Sequence, residues 1–177
     1  MLFIDLHQAG VWPGSGRVEE RGRGPGAGYT VNVPLPWHSG HAAALAAFAR
    51  VVAPAARAFG PDLLLVSAGF DAHWRDPLEH LQFQAGTYHA LAAAAAALAR
   101  EVCGGRCVFV VEGGYDLAAT GEAVAQTALA LAGRPCTVPL LPAEELPAPE
   151  PAGELEAALE AVLEGLGPML LTTPVLC

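Results

Sequence analysis

The chain has 177 residues, 53% of them hydrophobic, and a formal net charge of −9. That length bounds it to one domain or a large part of one, with enough apolar material for a core. The acidic balance argues against direct electrostatic attraction to nucleic acid or to anionic lipid, so neither a nucleic-acid nor a membrane partner is expected. All 9 basic residues are arginine, which together with the alanine excess reads as codon bias rather than as function.

The start, Met1-Leu2-Phe3-Ile4, is apolar but far too short for a secretory leader or a membrane span. An intracellular location is therefore expected. The cysteines are Cys103, Cys107, Cys136 and Cys177. The first pair is spaced more widely than a zinc knuckle and no second pair follows, so they read as buried free thiols.

Leu2 to Leu6 reads as a strand. Few domains open on a core strand with no lead-in, so the chain is expected to lack an upstream part. Gly10 to Gly28 is a Gly/Pro/Arg-rich loop, long enough to be functional or disordered. Thr30 to Leu35 is a short strand. Ser39 is a candidate N-cap for a helix from Gly40 to Phe59, which Pro54 kinks or splits. Gly60-Pro61 stops it. Asp62 to Val66 then reads as a buried strand. Ala85 to Val102 is a helix closed by Gly104-Gly105. Cys107 to Val111 is a β-branched strand. Asp116 can cap a helix from Leu117 to Ala132. Residues 134–153, rich in proline and acid, read as a linker, and Glu154 to Leu166 has the apolar spacing of an amphipathic helix.

This alternation predicts an α/β fold with a parallel sheet. The expected organisation is a domain over 1–133, the linker over 134–153, and a helix and tail over 154–177. Two strands end in polar loops, Ser67-Ala68-Gly69-Phe70-Asp71-Ala72-His73 and Glu112-Gly113-Gly114-Tyr115-Asp116. In open α/β sheets ligands bind beyond the carboxyl ends of the strands, so the two tips suggest one shared site.

The motifs Ala68-Gly69-Phe70-Asp71-Ala72-His73, Asp76-Pro77-Leu78 and Glu112-Gly113-Gly114-Tyr115-Asp116-Leu117 resemble the zinc-dependent histone deacetylase superfamily. That group includes acetylpolyamine amidohydrolases and acetoin-utilisation proteins. Leu6-His7-Gln8 with Trp12-Pro13-Gly14-Ser15-Gly16, and Gly28 to Leu35, agree in order and spacing. The match covers about Leu2 to Gly133 and leans toward class II-like members. The resemblance implies a three-layer α/β/α, arginase-like fold, here truncated at its N-terminus. It implies hydrolysis of the acetyl amide of acetyl-lysine or a related acetylated amine, with one Zn2+. The family's other zinc ligands lie in an Asp-x-His-His-Gly segment, and its general base in tandem histidines. Neither is in this sequence, so the chain alone is expected to be inactive.

Residue by residue, the resemblance makes Asp71 a zinc ligand; read alone, Asp71 caps a turn after the strand. It makes Tyr115 a donor to the oxyanion, with Gly113 and Gly114 leaving room for the ligand; read alone, Tyr115 sits in a surface turn. Trp12 would wall the acyl-lysine channel, with Leu78 a further lining residue. Asp5, Leu6 and Tyr29 fall where the family binds monovalent cations such as K+. A separate reading joins Asp5, His7, Asp71 and His73 as a four-ligand metal site. The alternative function is an inactive remnant that acts in binding or assembly.

Overall fold

The structure, a computed structural model, describes residues 1–137 and 148–166. Strand β1, Phe3–Gln8, pairs in parallel with β2, Thr30–Leu35, from Phe3 opposite Thr30 to Gln8 opposite Leu35. Alternation along the pleat puts Ile4 and Leu6 on one face with Val31, Val33 and Leu35. That face joins the main core. The other face carries Phe3, Asp5 and His7 and looks toward the 10–28 loop.

The apolar run after β2 is helical but not uniform. It divides into α1, His41–Ala47, a π-helical turn, Phe48–Val52, and α2, Ala53–Phe59. Pro54 has no N–H, and in a regular helix its ring would meet the carbonyl four residues back. The wider turn absorbs this, with the Ala53 N–H donating to the Phe48 carbonyl. The expected Ser39 cap is corrected: Gly40 is the N-cap residue and Ser39 is buried. The orphan donors are met from far along the chain. Glu150 accepts from the Ala42 and Ala43 N–H groups at 3.1 and 3.0 Å, a carboxylate at the positive end of the helix. The run from His41 to Phe59 is long and apolar enough to cross a membrane by length and composition. In the fold, Ala44, Ala47, Val51 and Ala55 of this run are buried in the main core.

Strands β3, Leu64–Ala68, and β4, Cys107–Val111, form a second parallel pair, with Leu65 opposite Val108 and Ser67 opposite Val110. Between them runs α3, Ala85–Cys103, opened by reciprocal hydrogen bonds of Gln84 and Thr87 and closed by Gly104 at φ 62°. Helix α4, Leu117–Leu131, begins at Asp116, whose Oδ1 accepts from the Ala119 N–H at 2.9 Å. Helix α5, Ala152–Gly165, buries Leu159 and Val162 in the β1–β2 core.

The β3 expectation needs two corrections. The strand starts at Leu64, and it is not fully buried: Leu65 is 67% exposed, as on its partner β4 are Val108, 46%, and Val110, 50%. Leu64 packs with Phe48 and Val102 against Ala53, Ala56 and Leu98 of α2 and α3. A short apolar run does not report whether one face or both are covered. The thiols also divide: Cys103 is buried, Cys107 half-buried and Cys136 exposed, just past α4. Cys177, the rest of the 167–177 tail and residues 138–147 of the expected linker lie outside the described residues.

Candidate functional site

The loops after β3 and β4 are sewn together. The Glu112 N–H donates to the Ala68 carbonyl at 3.1 Å, and the Phe70 N–H to the Gly113 carbonyl at 2.9 Å. Phe70 is 2% exposed and its ring lies 5.1 Å from that of Tyr88. The Tyr88 O–H donates to the Phe70 carbonyl at 3.1 Å. Phe70 is thus held by packing and by two hydrogen bonds, one main-chain and one phenolic, and the next residue, Asp71, is presented from a fixed point. The Asp71 carboxylate lies over Gly113 so closely that any Cβ there would collide with it. Gly114, at φ 130°, leaves equally little room: a Cβ would sit 2.9 Å from the Phe70 Cβ.

Tyr115 follows directly. The residue is 57% exposed, while its N–H donates to Asp76 Oδ2 at 2.8 Å. Asp76 is buried and also accepts from the Leu78 N–H at 3.0 Å. One carboxylate therefore ties the loop that carries Asp71 to the loop that carries Tyr115. Arg75 adds a bridge to Asp116, 3.5 Å, with its guanidinium 5.6 Å from the Trp74 ring.

Electrostatically the tip is acidic. Burial pushes the Asp71 carboxyl above its ordinary range, and the charges of Asp76 and Glu112 add to this. Glu79 is raised for the same reasons, by burial and then by Asp71 and Asp76. Such a tip favours a cation. Among the described residues, however, no three His, Cys, Asp or Glu side chains converge to hold a metal. A three-ligand zinc site therefore does not fit the donors present on their own; Asp71 offers one of them. The four-ligand site does not form either. His73 is 2% exposed, faces the Tyr88 ring and accepts from the Arg75 N–H at 3.2 Å. His7 is 3.0 Å from Asp5.

The other expected residues form a second neighbourhood. Trp12, 93% exposed, follows β1 in the 10–28 loop, and with Asp5, His7 and Asn32 it lines a cleft of about 700 Å3. Asp5 is engaged by His7, whose pKa is raised by that hydrogen bond. The Leu6 side chain packs on the core, and the Tyr29 carbonyl accepts from the Phe3 N–H at 2.9 Å. Leu78 is 61% exposed, two residues beyond Asp76. The neighbourhoods touch through Gln8, whose Oε1 accepts from the His80 N–H at 2.5 Å. Asp76 and Gln8 belong to motifs quoted from the sequence but carry no role there, and Glu150 is not among the candidate residues. For Asp76 a signal existed: Asp-Pro-Leu is the pattern of an Asx turn, which is what the Leu78 contact makes.

Residues 1–131 match the family model described as the histone deacetylase domain. The "Histone deacetylase 10, chloroplastic" of Oryza sativa subsp. japonica is 50% identical over 135 residues, 76% of this chain and 30% of that protein. A "Probable deacetylase" of Archaeoglobus fulgidus is 40% identical over 117 residues, 66% of this chain and 33% of its own length. Among solved structures, the HDA15 HD domain aligns with a TM-score of 0.71 at 31% identity, over 96% of this chain and 43% of that one. The histone deacetylase Clr3 aligns with a TM-score of 0.77 at 29% identity, over 93% of this chain and 27% of that one. The chain thus spans about a third of the length of these curated relatives. Its α/β architecture, its strand-end loops and the match over residues 1–131 agree, and the chain belongs to the histone deacetylase family.

Proposed function

We propose that this chain supplies the β3–β4 tip of a deacetylase catalytic centre acting on the acetyl amide of acetyl-lysine or a related acetylated amine. The observation that supports this most is the joining of Asp71 and Tyr115 through Asp76 and the Gly113-Gly114 turn. In this reading Asp71 is one carboxylate ligand of a zinc ion. The other ligands and the histidine base come from polypeptide outside residues 1–177, so the chain alone is not a catalyst.

Tyr115 is the group that meets developing charge. Its exposed phenol donates to the carbonyl oxygen of the amide, and that hydrogen bond strengthens as the oxygen becomes an oxyanion. A donor of this kind is worth about 3 kcal/mol to the transition state. Gly113 keeps the space beside Asp71 free of side chain. Leu78 and Trp12 are apolar surfaces suited to the methylene stem of the substrate. An intracellular setting is part of the reading, as two of the relatives are named chloroplastic deacetylases.

The test is a chimera in which residues 1–131 replace the matched segment of the Oryza relative. A fluorogenic acetyl-lysine peptide should be turned over by the chimera and not by the chain alone. Tyr115→Phe should lower kcat by about 10²–10³-fold with bound zinc unchanged, and Asp71→Asn should lower bound zinc. Near wild-type kcat in Tyr115→Phe would overturn the assignment, as would turnover by the chain alone that Asp71→Ala abolishes.

A further inference from the structure

The amino end of the β3–β4 pair lies at the far end of the strands from the candidate site, and two thiols meet there. Cys103 is the last residue of α3 and is buried; Cys107 is the first residue of β4 and is half-buried. Gly104 and Gly105, at φ 62° and 82°, reverse the chain between them. The Arg106 N–H donates to the Cys103 carbonyl at 3.3 Å and closes the turn. A turn closed in this way holds the Cα atoms of Cys103 and Arg106 within about 7 Å, and Cys107 is the next residue.

Both side chains belong to one layer. Cys107 stands opposite Leu64 in the parallel register, so the pleat puts the two on one face. Leu64 packs with Val102 of α3 on Ala53, Ala56 and Leu98, and Cys103 follows Val102. The Cys103 sulfur also reaches the peptide that joins Arg106 to Cys107: its S–H donates to the Arg106 carbonyl at 3.2 Å. That carbonyl accepts from the Leu64 N–H at 3.0 Å as well, and the Arg106 Nε donates to the Asp62 carbonyl at 2.7 Å, so the turn is held in place. Burial pushes the Cys107 thiol above its ordinary range, and the neighbouring Cys103 adds to this. Gly104, Gly105 and Arg106 are exposed, which opens the turn to a small reagent. A disulfide needs Cα atoms about 4.4–6.8 Å apart and side chains that face each other; the closed turn and the shared face supply both.

We propose that Cys103 and Cys107 form a redox-modification site, which a low-molecular-weight disulfide such as oxidised glutathione converts to one intramolecular disulfide. Cys107 is the more accessible thiol and reacts first. Its thiolate attacks one sulfur of the reagent, the reagent's S–S bond breaks, and one small thiol leaves. Cys103 then gives up its proton, its sulfur attacks the Cys107 sulfur of the mixed disulfide, and the second small thiol leaves. Two protein thiols are oxidised by two electrons in all, and one small disulfide is reduced to two thiols. The new bond ties the end of α3 to the start of β4. A reducing thiol reverses the exchange by the same steps.

The experiment uses the full chain carrying Cys136→Ser and Cys177→Ser, which leaves these two thiols alone. It is equilibrated in glutathione buffers from fully reduced to fully oxidised, quenched in acid, unfolded and alkylated, and intact mass counts the free thiols. Both thiols should disappear together, with a loss of two hydrogens and no glutathione added, and dithiothreitol should restore both. Trypsin cuts after Arg106, so the 101–106 peptide should stay joined to the peptide that begins at Cys107 until reductant is added. Cys107→Ser should leave Cys103 open to alkylation under every condition that closes the pair. Cys103→Ser should stop at a glutathione adduct on Cys107. Two alkylated thiols in the fully oxidised buffer overturn the proposal, as does a lasting glutathione adduct on the parent or a disulfide that joins two chains. A bond that forms only when the chain is oxidised in urea overturns it too, since spacing and not the folded turn would then bring the thiols together.

Discussion

The two strand pairs are built by the same rule and end in different environments. Both are parallel, and both carry apolar residues at alternate positions. In β1–β2, Val33 and Leu35 are 0% exposed beneath α1 and α5. In β3–β4, Leu65 is 67% exposed, and only the side carrying Leu64 meets helices. The candidate site sits on the less covered pair. Its order therefore comes from the loops: Phe70 in its aromatic seat, the Ala68–Glu112 and Phe70–Gly113 main-chain bonds, and Asp76 across the gap. Sheet burial holds one half of the molecule, and hydrogen-bonded loop ends hold the half that carries the candidate site.

The sharpest way to break this contrast is to truncate matching leucines. Leu35→Ala removes a fully buried side chain and should cost about 2–5 kcal/mol. Leu65→Ala in the same chain should stay within about 0.5 kcal/mol. Urea unfolding of both variants decides it, and similar losses would mean that β3–β4 is covered as well as β1–β2. Asp76→Ala is next. It removes a buried carboxylate that accepts two main-chain N–H groups, and hydrogen bonds to charged groups are worth about 1.5–3 kcal/mol. The loss should appear first as faster amide exchange at Tyr115 and Leu78, with β1–β2 unaffected. Uniform acceleration across the chain would show that Asp76 supports the whole fold and not the joint between two loops.

Much of this was legible in the sequence, and the reasons differ by element. β2 and β4 have their expected bounds, because β-branched residues between turn formers leave little choice. α3 and α4 are bracketed by local caps, Gly104 and Asp116, which act within a few residues. The features that escaped are non-local. Glu150 caps a helix more than 100 positions earlier. The exposure of Leu65 depends on what lies over it, which no run of neighbours encodes. The π turn before Pro54 is one of two outcomes that proline allows. At the site, Asp71 and Tyr115 stood out through their motifs. Asp76 showed its local turn with Leu78 in the sequence, but its bond to the Tyr115 N–H is visible only once the two loops are side by side.

Glu150→Ala tests the non-local cap. Losing an N-terminal cap costs about 1 kcal/mol, and the effect should fall on α1 and on the 148–151 segment that Gln82 also grips through the Ala148 main chain. Added salt should shrink the difference between variant and parent, since part of it is charge on a helix terminus. A difference that salt leaves unchanged would reduce Glu150 to a packing contact.

The smallest effect contrasts one histidine from each half. His7, beside β1, is raised above 6.5 by its hydrogen bond to Asp5, against some loss from burial. His73, beyond β3, is lowered below 6.5 by burial, which outweighs the nearby charge of Glu122 and Asp116. The signs follow from linkage. The His7 contribution is complete below pH 6.5 and is lost as pH rises through its folded value. His73 binds its proton more weakly when folded, so stability rises with pH from its folded value up to 6.5 and is flat above. Together they place a shallow maximum near pH 6.5. Asp71 and Glu79, raised from 3.8 and 4.5, oppose the His73 slope as pH climbs through the acidic range. Stability curves alone therefore blur the contrast, and imidazole NMR titration resolves it. The His7 midpoint should lie above that of His73, and Asp5→Asn should pull the His7 midpoint down while leaving His73 in place. A His73 midpoint at or above that of His7 would mean that its ring is solvated, and that the loop carrying Asp71 is looser than the Phe70, Tyr88 and Asp76 contacts require.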